Sequence, residues 1–152
     1  MGRRVVLIDD TVEKHDAIQH FFRREFPDDK LTWFKNFRQS QNNLTYYDYD
    51  LLLLDMSFER HGATSEDVTF NGLAGLHVLQ FLWIENIALP TIILTTHDNF
   101  SDPDFGVIEG IDALKDHIRK IFGDVVLDCL SMGPDMHVWE SALLEIIKNA
   151  KI

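Results

Sequence analysis

The sequence predicts an α/β fold in which a doubly wound parallel sheet carries helices on both faces. Strand-like and helix-like segments alternate five times along the 152 residues, which is the pattern of a parallel sheet with crossover helices. Two strand segments, VVLI and LLLL, are apolar at every position, as expected of central strands that are covered on both faces. No repeat or linker interrupts the pattern, so we expect a single domain over residues 1–152.

The first half of the chain predicts three strands and a long helix. Residues 11–26 place apolar side chains on one helical face; Asp10 or Thr11 can cap the helix, and Pro27 ends it. The polar segment RQSQNNLTYYD has the length of a short helix. The predicted strands cover residues 3–10, 30–37 and 50–55.

The second half of the chain begins with a polar segment, residues 56–71, that predicts a long loop. Pro90 precedes the buried strand TIILTT, and Gly133 with Pro134 forms a turn after the last strand. In residues 105–122, before the last strand, isoleucine and leucine recur at the spacing of a helix. The predicted helices cover residues 72–84, 105–122 and 136–151, and the last strand covers residues 124–130.

The composition limits the classes of partner. A formal net charge of -11 argues against nucleic acid and anionic membranes, whose phosphates need lysine and arginine; it fits cations or basic protein surfaces, although solubility alone explains it as well. No apolar stretch reaches membrane-spanning length and no secretory signal is visible, so a cytoplasmic protein is expected. The single cysteine, Cys129, is expected to be a small buried hydrophobe.

Three acidic residues stand where strands should end. Asp9 and Asp10 follow VVLI, and Asp55 follows LLLL. The carboxyl ends of the strands are where open α/β sheets bind ligands, and carboxylates beside an apolar core need water, a partner or a metal. Helix capping by Asp10 and loop capping by Asp55 are the simpler alternatives.

The order of these residues resembles the receiver domain of bacterial response regulators, the CheY-like superfamily, over nearly the whole chain. The resemblance is carried by Asp9 and Asp10, Asp55, Gly75 in AGLHVLQFL, Thr95 in PTIILTT, and Pro134. It implies a flavodoxin-like five-stranded sheet with strand order 2-1-3-4-5.

The resemblance also implies a chemistry. Asp10 and Asp55 would bind Mg²⁺ directly, with Mn²⁺ as a substitute, while Asp9 would act partly through water and Ser57 would offer its backbone carbonyl. Asp55 would accept a phosphoryl group from a histidine kinase, a phosphotransfer protein or a small phosphodonor. Thr95 would be the switch residue that binds the new phosphoryl group.

One departure from the family removes a positive charge. The family has a lysine before the proline that follows the last strand, and here that position is Gly133. Without the lysine, three carboxylates and one divalent metal leave a net charge of -1 before phosphorylation adds about -1.5 to -2. Lys14 and His97 are candidate substitutes, but we expect both to be ordinary surface residues; the hypothesis is that one of them rescues the site only weakly.

Two further departures concern length. Nineteen residues separate Asp55 from Gly75, so the loop is a candidate lid, docking element or tolerated insertion. Thirty-seven residues separate Thr95 from Gly133, which suggests a longer fourth helix and a remodelled partner surface. Exposure of Phe100, Phe105 and Val107 would support a homodimer, although core packing is expected for at least two of them.

Three functions follow from these residues. The first is a stand-alone receiver that is phosphorylated on Asp55 and signals by binding a downstream protein, with no enzymatic activity beyond self-phosphorylation. The second is a pseudo-receiver, a phosphorylation-independent interaction module, which Gly133 favours. The third is a metal-dependent phosphatase, which is poorly supported because Ser57 stands where such enzymes commonly place a general acid. No nucleotide-binding glycine motif is present.

Overall fold

A computed structural model describes residues 2–56, 74–96, 99–102, 106–133, 135–150 and 152. Several predictions concern residues outside these ranges: the loop beyond Met56, the carbonyl of Ser57, the side chain of His97, the exposure of Phe105 and the position of Pro134. Among the described residues, no helix is both long and apolar enough to cross a membrane.

The described elements alternate as the sequence predicts, with one insertion. In chain order they are β1 (Arg4–Ile8), α1 (Val12–Glu25), β2 (Lys30–Phe34), α2 (Phe37–Tyr46), β3 (Leu51–Leu54), α3 (Ala74–Ile84), β4 (Thr91–Thr95), β5 (Asn99–Asp102), β6 (Gly106–Glu109), α4 (Ile111–Phe122), β7 (Val126–Ser131) and α5 (Met136–Asn149). A 3₁₀ turn, Gly123–Val125, joins α4 to β7.

Five of the strands form one parallel sheet in the order β2-β1-β3-β4-β7. With β7 as the fifth strand of this sheet, the order is the predicted 2-1-3-4-5. The predicted fold class is therefore confirmed. β1 lies between β2 and β3, so its residue Ile8 is in register with Phe34 on one side and Leu54 on the other. This register brings the ends of the three strands to the same edge of the sheet.

The sheet separates two hydrophobic clusters because successive strand residues point to opposite faces. Val6 and Ile8 of β1 pack on the side of α2, α3 and α4. Val5 and Leu7 pack on the side of α1 and α5. All four are fully buried, which explains why β1 is apolar at these four successive positions and not at alternate ones.

Helix α1 begins and ends near the residues that the sequence predicted, but its first residues are capped by a different hydrogen bond. Thr11 is the N-cap, but its side chain makes no capping hydrogen bond. Instead, the Thr11 backbone N–H donates to Oδ1 of Asp9 at 2.8 Å. The helix ends at Glu25, before Pro27, and Arg24 near this end forms an ion pair with Glu140 of α5.

The prediction of one helix over residues 105–122 is wrong at its start. β5 and β6 form an antiparallel hairpin before α4, which begins only at Ile111. Gly106 and Gly110 adopt positive φ angles of 83° and 91°, which no helix tolerates. The extra length between Thr95 and Gly133 therefore forms this hairpin, and α4 itself has 12 residues.

The hairpin contains two of the three apolar residues that were candidates for exposure, Phe100 and Val107. Phe100 is 1% exposed and belongs to the core beside α4, which agrees with the expectation that core packing takes at least two of the three candidates. Val107 is 71% exposed. Cys129 is buried, as predicted.

Candidate functional site

The three acidic residues meet at the carboxyl edge of the sheet. Asp9 follows β1 and Asp55 follows β3, and the Asp55 N–H donates to the carbonyl of Ile8 at 3.0 Å. Potential ligand atoms of Asp9, Asp10 and Asp55 all lie within 4.8 Å of one another. Because β1 and β3 are paired in parallel, the residues that follow them are forced into adjacent positions.

The acids differ sharply in exposure. Asp9 is fully buried and Asp55 is 4% exposed, whereas Asp10 is exposed. The Asp9 carboxylate is held from one side by the Thr11 N–H at 2.8 Å. Two oxygens, Asp9 Oδ2 and Asp55 Oδ1, are buried and accept no aligned hydrogen bond from the described residues.

Lys14 faces these two oxygens. Its Nζ lies 2.7 Å from Asp9 Oδ2 and 3.1 Å from Asp55 Oδ1, and it donates to the carbonyl of Leu94 at 3.2 Å. The residue is 8% exposed. The expectation that Lys14 is an ordinary surface residue is therefore wrong. The first turn of α1 lies over the strand ends, so a long side chain from this turn extends inward between β1, β3 and β4.

Burial sets the acidity of the central carboxylate. It raises the pKa of Asp55 to about 6; the nearby Lys14 charge opposes this rise, and the charges of Asp9 and Asp10 add to it. Asp55 is thus mainly ionised at neutral pH but holds its proton more tightly than a free carboxyl group.

The cluster suits a small divalent cation. Its candidate ligands are carboxylate oxygens, the donors that Mg²⁺ prefers, and the residues that offer them include two buried oxygens without an aligned hydrogen bond. Three carboxylates and the Lys14 ammonium carry a net charge of -2, which one divalent cation would neutralise. The exposed Asp10 gives the cluster one ligand that needs little desolvation.

Other predicted residues surround this cluster. Thr95 is fully buried at the end of β4, next to the carbonyl that Lys14 contacts, and its own carbonyl accepts a hydrogen bond from Met132 N–H at 2.7 Å. Gly133 is exposed, and a Cβ atom there would meet nothing within 4 Å.

Gly75 brings α3 unusually close to the site. A Cβ atom at this position would lie 2.8 Å from the backbone oxygen of Asp55 and 2.8 Å from Cε of Met56. Its own N–H donates to the carbonyl of Met56 at 3.0 Å. A residue without a side chain is thus needed where α3 passes the end of β3.

Trp33 is a site neighbour that sequence reasoning missed. Its Nε1 donates to the backbone oxygen of Asp9 at 2.7 Å, and its ring stacks on His15 with centroids 4.0 Å apart. The only signal was its place near the end of the second strand, which is too common in itself to indicate a site.

Comparison with known proteins rests on the fold. No protein-family model matches the sequence, and no curated protein sequence matches it. The signal receiver domain of a protein named as a Luxo repressor in Vibrio parahaemolyticus is similar, with a TM-score of 0.67 and 16% identity over 99% of this chain and 94% of that chain. The phosphorylated cyanobacterial phytochrome response regulator RcpA has a TM-score of 0.62 and 11% identity over 97% and 93%. The RcsB response regulator of Salmonella typhimurium has a TM-score of 0.65 and 14% identity over 99% of this chain and 63% of that chain. The chain has the receiver-domain fold.

Within this receiver fold, Gly75 and Thr95 lie on the elements, and the three acids directly after the strands, where the sequence resemblance expected them. The cation comes from a different element. The receiver resemblance implies a lysine before the proline that follows the last sheet strand, whereas here a lysine of α1 contacts the acids.

Proposed function

We propose that this chain is a receiver module that accepts a phosphoryl group on Asp55 and signals through protein contacts. The observation that carries the proposal is the convergence of Asp9, Asp10 and Asp55 within 4.8 Å at the carboxyl edge of a receiver-fold sheet. Asp10 and Asp55 would bind Mg²⁺ directly and Asp9 would support them, with Mn²⁺ able to substitute. The bound ion would offset negative charge on the transferring phosphoryl group.

The nucleophile of the transfer would be the Asp55 carboxylate. A carboxylate oxygen of Asp55 forms a bond to phosphorus while the bond from phosphorus to the donor breaks, and the donor departs with the electron pair of that bond. With acetyl phosphate the leaving group is acetate; with a phosphohistidine it is the imidazole of the partner. Asp55 must be ionised to attack, which its pKa of about 6 permits at neutral pH.

The partners follow from this chemistry. The donor is a histidine kinase, a phosphotransfer protein or a small phosphodonor, and the output is contact with a downstream protein. The net charge of -11 favours basic protein surfaces over nucleic acid. The DNA interaction of the RcsB response regulator concerns a chain of which this one covers 63%. Catalysis on other substrates is not part of the proposal.

A second candidate is the phosphorylation-independent pseudo-receiver. It is favoured by the contacts of Lys14, because the ammonium already neutralises part of the buried charge without a metal. In this case the site would be a fixed structural centre, and the surface of the module would carry the interaction.

Phosphorylation by acetyl phosphate separates these candidates. The protein is incubated with Mg²⁺ and acetyl phosphate, and the intact mass is followed. We expect one added phosphoryl group in the wild type and in Asp116→Asn, an exposed acid on α4, and none in Asp55→Asn or in EDTA. Magnesium binding without modification would support the pseudo-receiver, and steady hydrolysis of a phosphate ester would support a phosphatase.

A further inference from the structure

We propose that Lys14 is the phosphoryl-binding cation of this site and that α1 supplies the positive charge that position 133 lacks. The inference rests on the proposed function of Asp55. It adds a residue and an element that the receiver resemblance does not assign to this role.

The first support is the contact geometry of the ammonium. An ammonium group has three donors, and Nζ of Lys14 has three acceptors within reach: Asp9 Oδ2 at 2.7 Å, Asp55 Oδ1 at 3.1 Å and the carbonyl of Leu94 at 3.2 Å. These acceptors belong to the ends of three different strands. The ammonium therefore already touches the carboxylate that would receive the phosphoryl group.

The second support is burial. Among the described residues, Lys14 is the one buried side chain that carries a positive charge. A buried ammonium is costly unless it is paired, and here both of its charged partners belong to the acid cluster. By contrast, Lys115 pairs with Asp128 where both side chains are about 30% exposed. The side chain of Lys14 thus places its charge against the acid cluster and not at the protein surface.

The charge of Lys14 has opposite consequences for a metal and for a phosphoryl group. It repels a divalent cation bound by the neighbouring carboxylates and attracts the negative oxygens of a phosphoryl group on Asp55. Replacing a residue with a purely structural role would not strengthen Mg²⁺ binding while weakening phosphoryl binding. Opposite changes in these two affinities are therefore the diagnostic result.

The experiment uses Lys14→Met, which keeps the length of the side chain and removes the charge. Mg²⁺ affinity is measured by titration calorimetry, and beryllofluoride affinity at saturating Mg²⁺ is measured by tryptophan fluorescence. We expect Mg²⁺ binding to tighten about tenfold and beryllofluoride binding to weaken about tenfold or more, each tenfold being about 1.4 kcal/mol. Lys14→Arg should retain most of the beryllofluoride affinity, and the control Lys115→Met should match the wild type in both.

The two failures are distinguishable. If the wild type binds no beryllofluoride with Mg²⁺, the proposed function of Asp55 fails and the role of Lys14 fails with it. If the wild type binds beryllofluoride and Lys14→Met binds it within twofold of the wild type, only the inference on Lys14 is overturned.

A second pair of variants guards against misfolding. Asp9→Asn with Lys14→Met removes one charge of each sign, so the cluster keeps the net charge of the wild type. This double variant is compared with Asp9→Asn alone. Weaker beryllofluoride binding in the double variant supports the inference, and equal binding in the two overturns it.

Discussion

At the scale of single residues, the site is governed by two charges that share a buried space. Asp55 and Lys14 are each less than 10% exposed, and their charged atoms lie 3.1 Å apart. The sequence predicted that the acids form a site, because each of them follows an apolar run whose end marks the end of a strand. It did not predict the inward position of Lys14, because that position depends on how α1 crosses the strand ends, and its contact with Leu94 joins residues 80 positions apart.

The raised pKa of Asp55 predicts a pH dependence of stability. The folded protein binds this proton with a pKa of about 6 and the unfolded chain with 3.8, so stability falls as the pH rises through this window. A shift of this size corresponds to about 3 kcal/mol at most. Without metal, urea unfolding should show a loss of stability between pH 4 and pH 7 that is smaller in Asp55→Asn. Parallel pH profiles for the two proteins would contradict this prediction.

Gly133 offers a test of where a cation can act. A Cβ atom there would meet nothing within 4 Å, so a side chain can leave the backbone at this position. We expect Gly133→Lys to restore part of the beryllofluoride affinity that Lys14→Met loses, since the resemblance places the family's lysine at this position. Gly133→Gln in the Lys14→Met background is the uncharged control. Equal binding in the two double variants would show that position 133 does not reach the site in this chain.

At the scale of elements, a predicted strand or helix agrees with the structure where its pattern of apolar residues is clear. VVLI and LLLL are short, fully apolar runs that favour a buried strand, and both form strands of the central sheet. Ile108 fits helical spacing with Ile111 and Leu114, yet it lies on β6. The glycines on either side of it adopt positive φ angles, and an apolar period alone does not reveal them. The hairpin was therefore not predictable from spacing.

The close approach of α3 to the site makes Gly75 sensitive to substitution. In Gly75→Ala the new Cβ atom would lie 2.8 Å from the backbone oxygen of Asp55, so either α3 or the end of β3 must move. Although alanine favours helix, we expect a loss of about 1–3 kcal/mol from overpacking and weaker Mg²⁺ binding. Urea unfolding and calorimetry measure the two effects. Gly133→Ala is the matched control, where the Cβ atom enters open space; equal stabilities of the two variants would contradict the argument.

At the scale of the whole molecule, the sheet divides two hydrophobic clusters, and the acid cluster lies at one edge between them. The acids that would hold an ion follow β1 and β3, so its binding would depend on the integrity of the central sheet. The edge strand β7 carries a natural probe of this integrity. Burial raises the pKa of the Cys129 thiol to about 12, and the charge of Asp128 adds to the rise.

Alkylation of Cys129 should therefore report opening of the fold and respond to Mg²⁺. The thiol is 5% exposed and protonated at neutral pH, so it reacts only when β7 separates from α4 and the rest of its cluster. A ligand that binds the folded state lowers the population of globally open molecules by the factor 1 + [L]/Kd. If Cys129 becomes reactive through global unfolding, Mg²⁺ should slow iodoacetamide labelling by that factor in the wild type, and not in Asp10→Asn with Asp55→Asn. Labelling that is slow but independent of Mg²⁺ would instead mean that β7 opens alone at the sheet edge, while the strands that hold the acids stay paired.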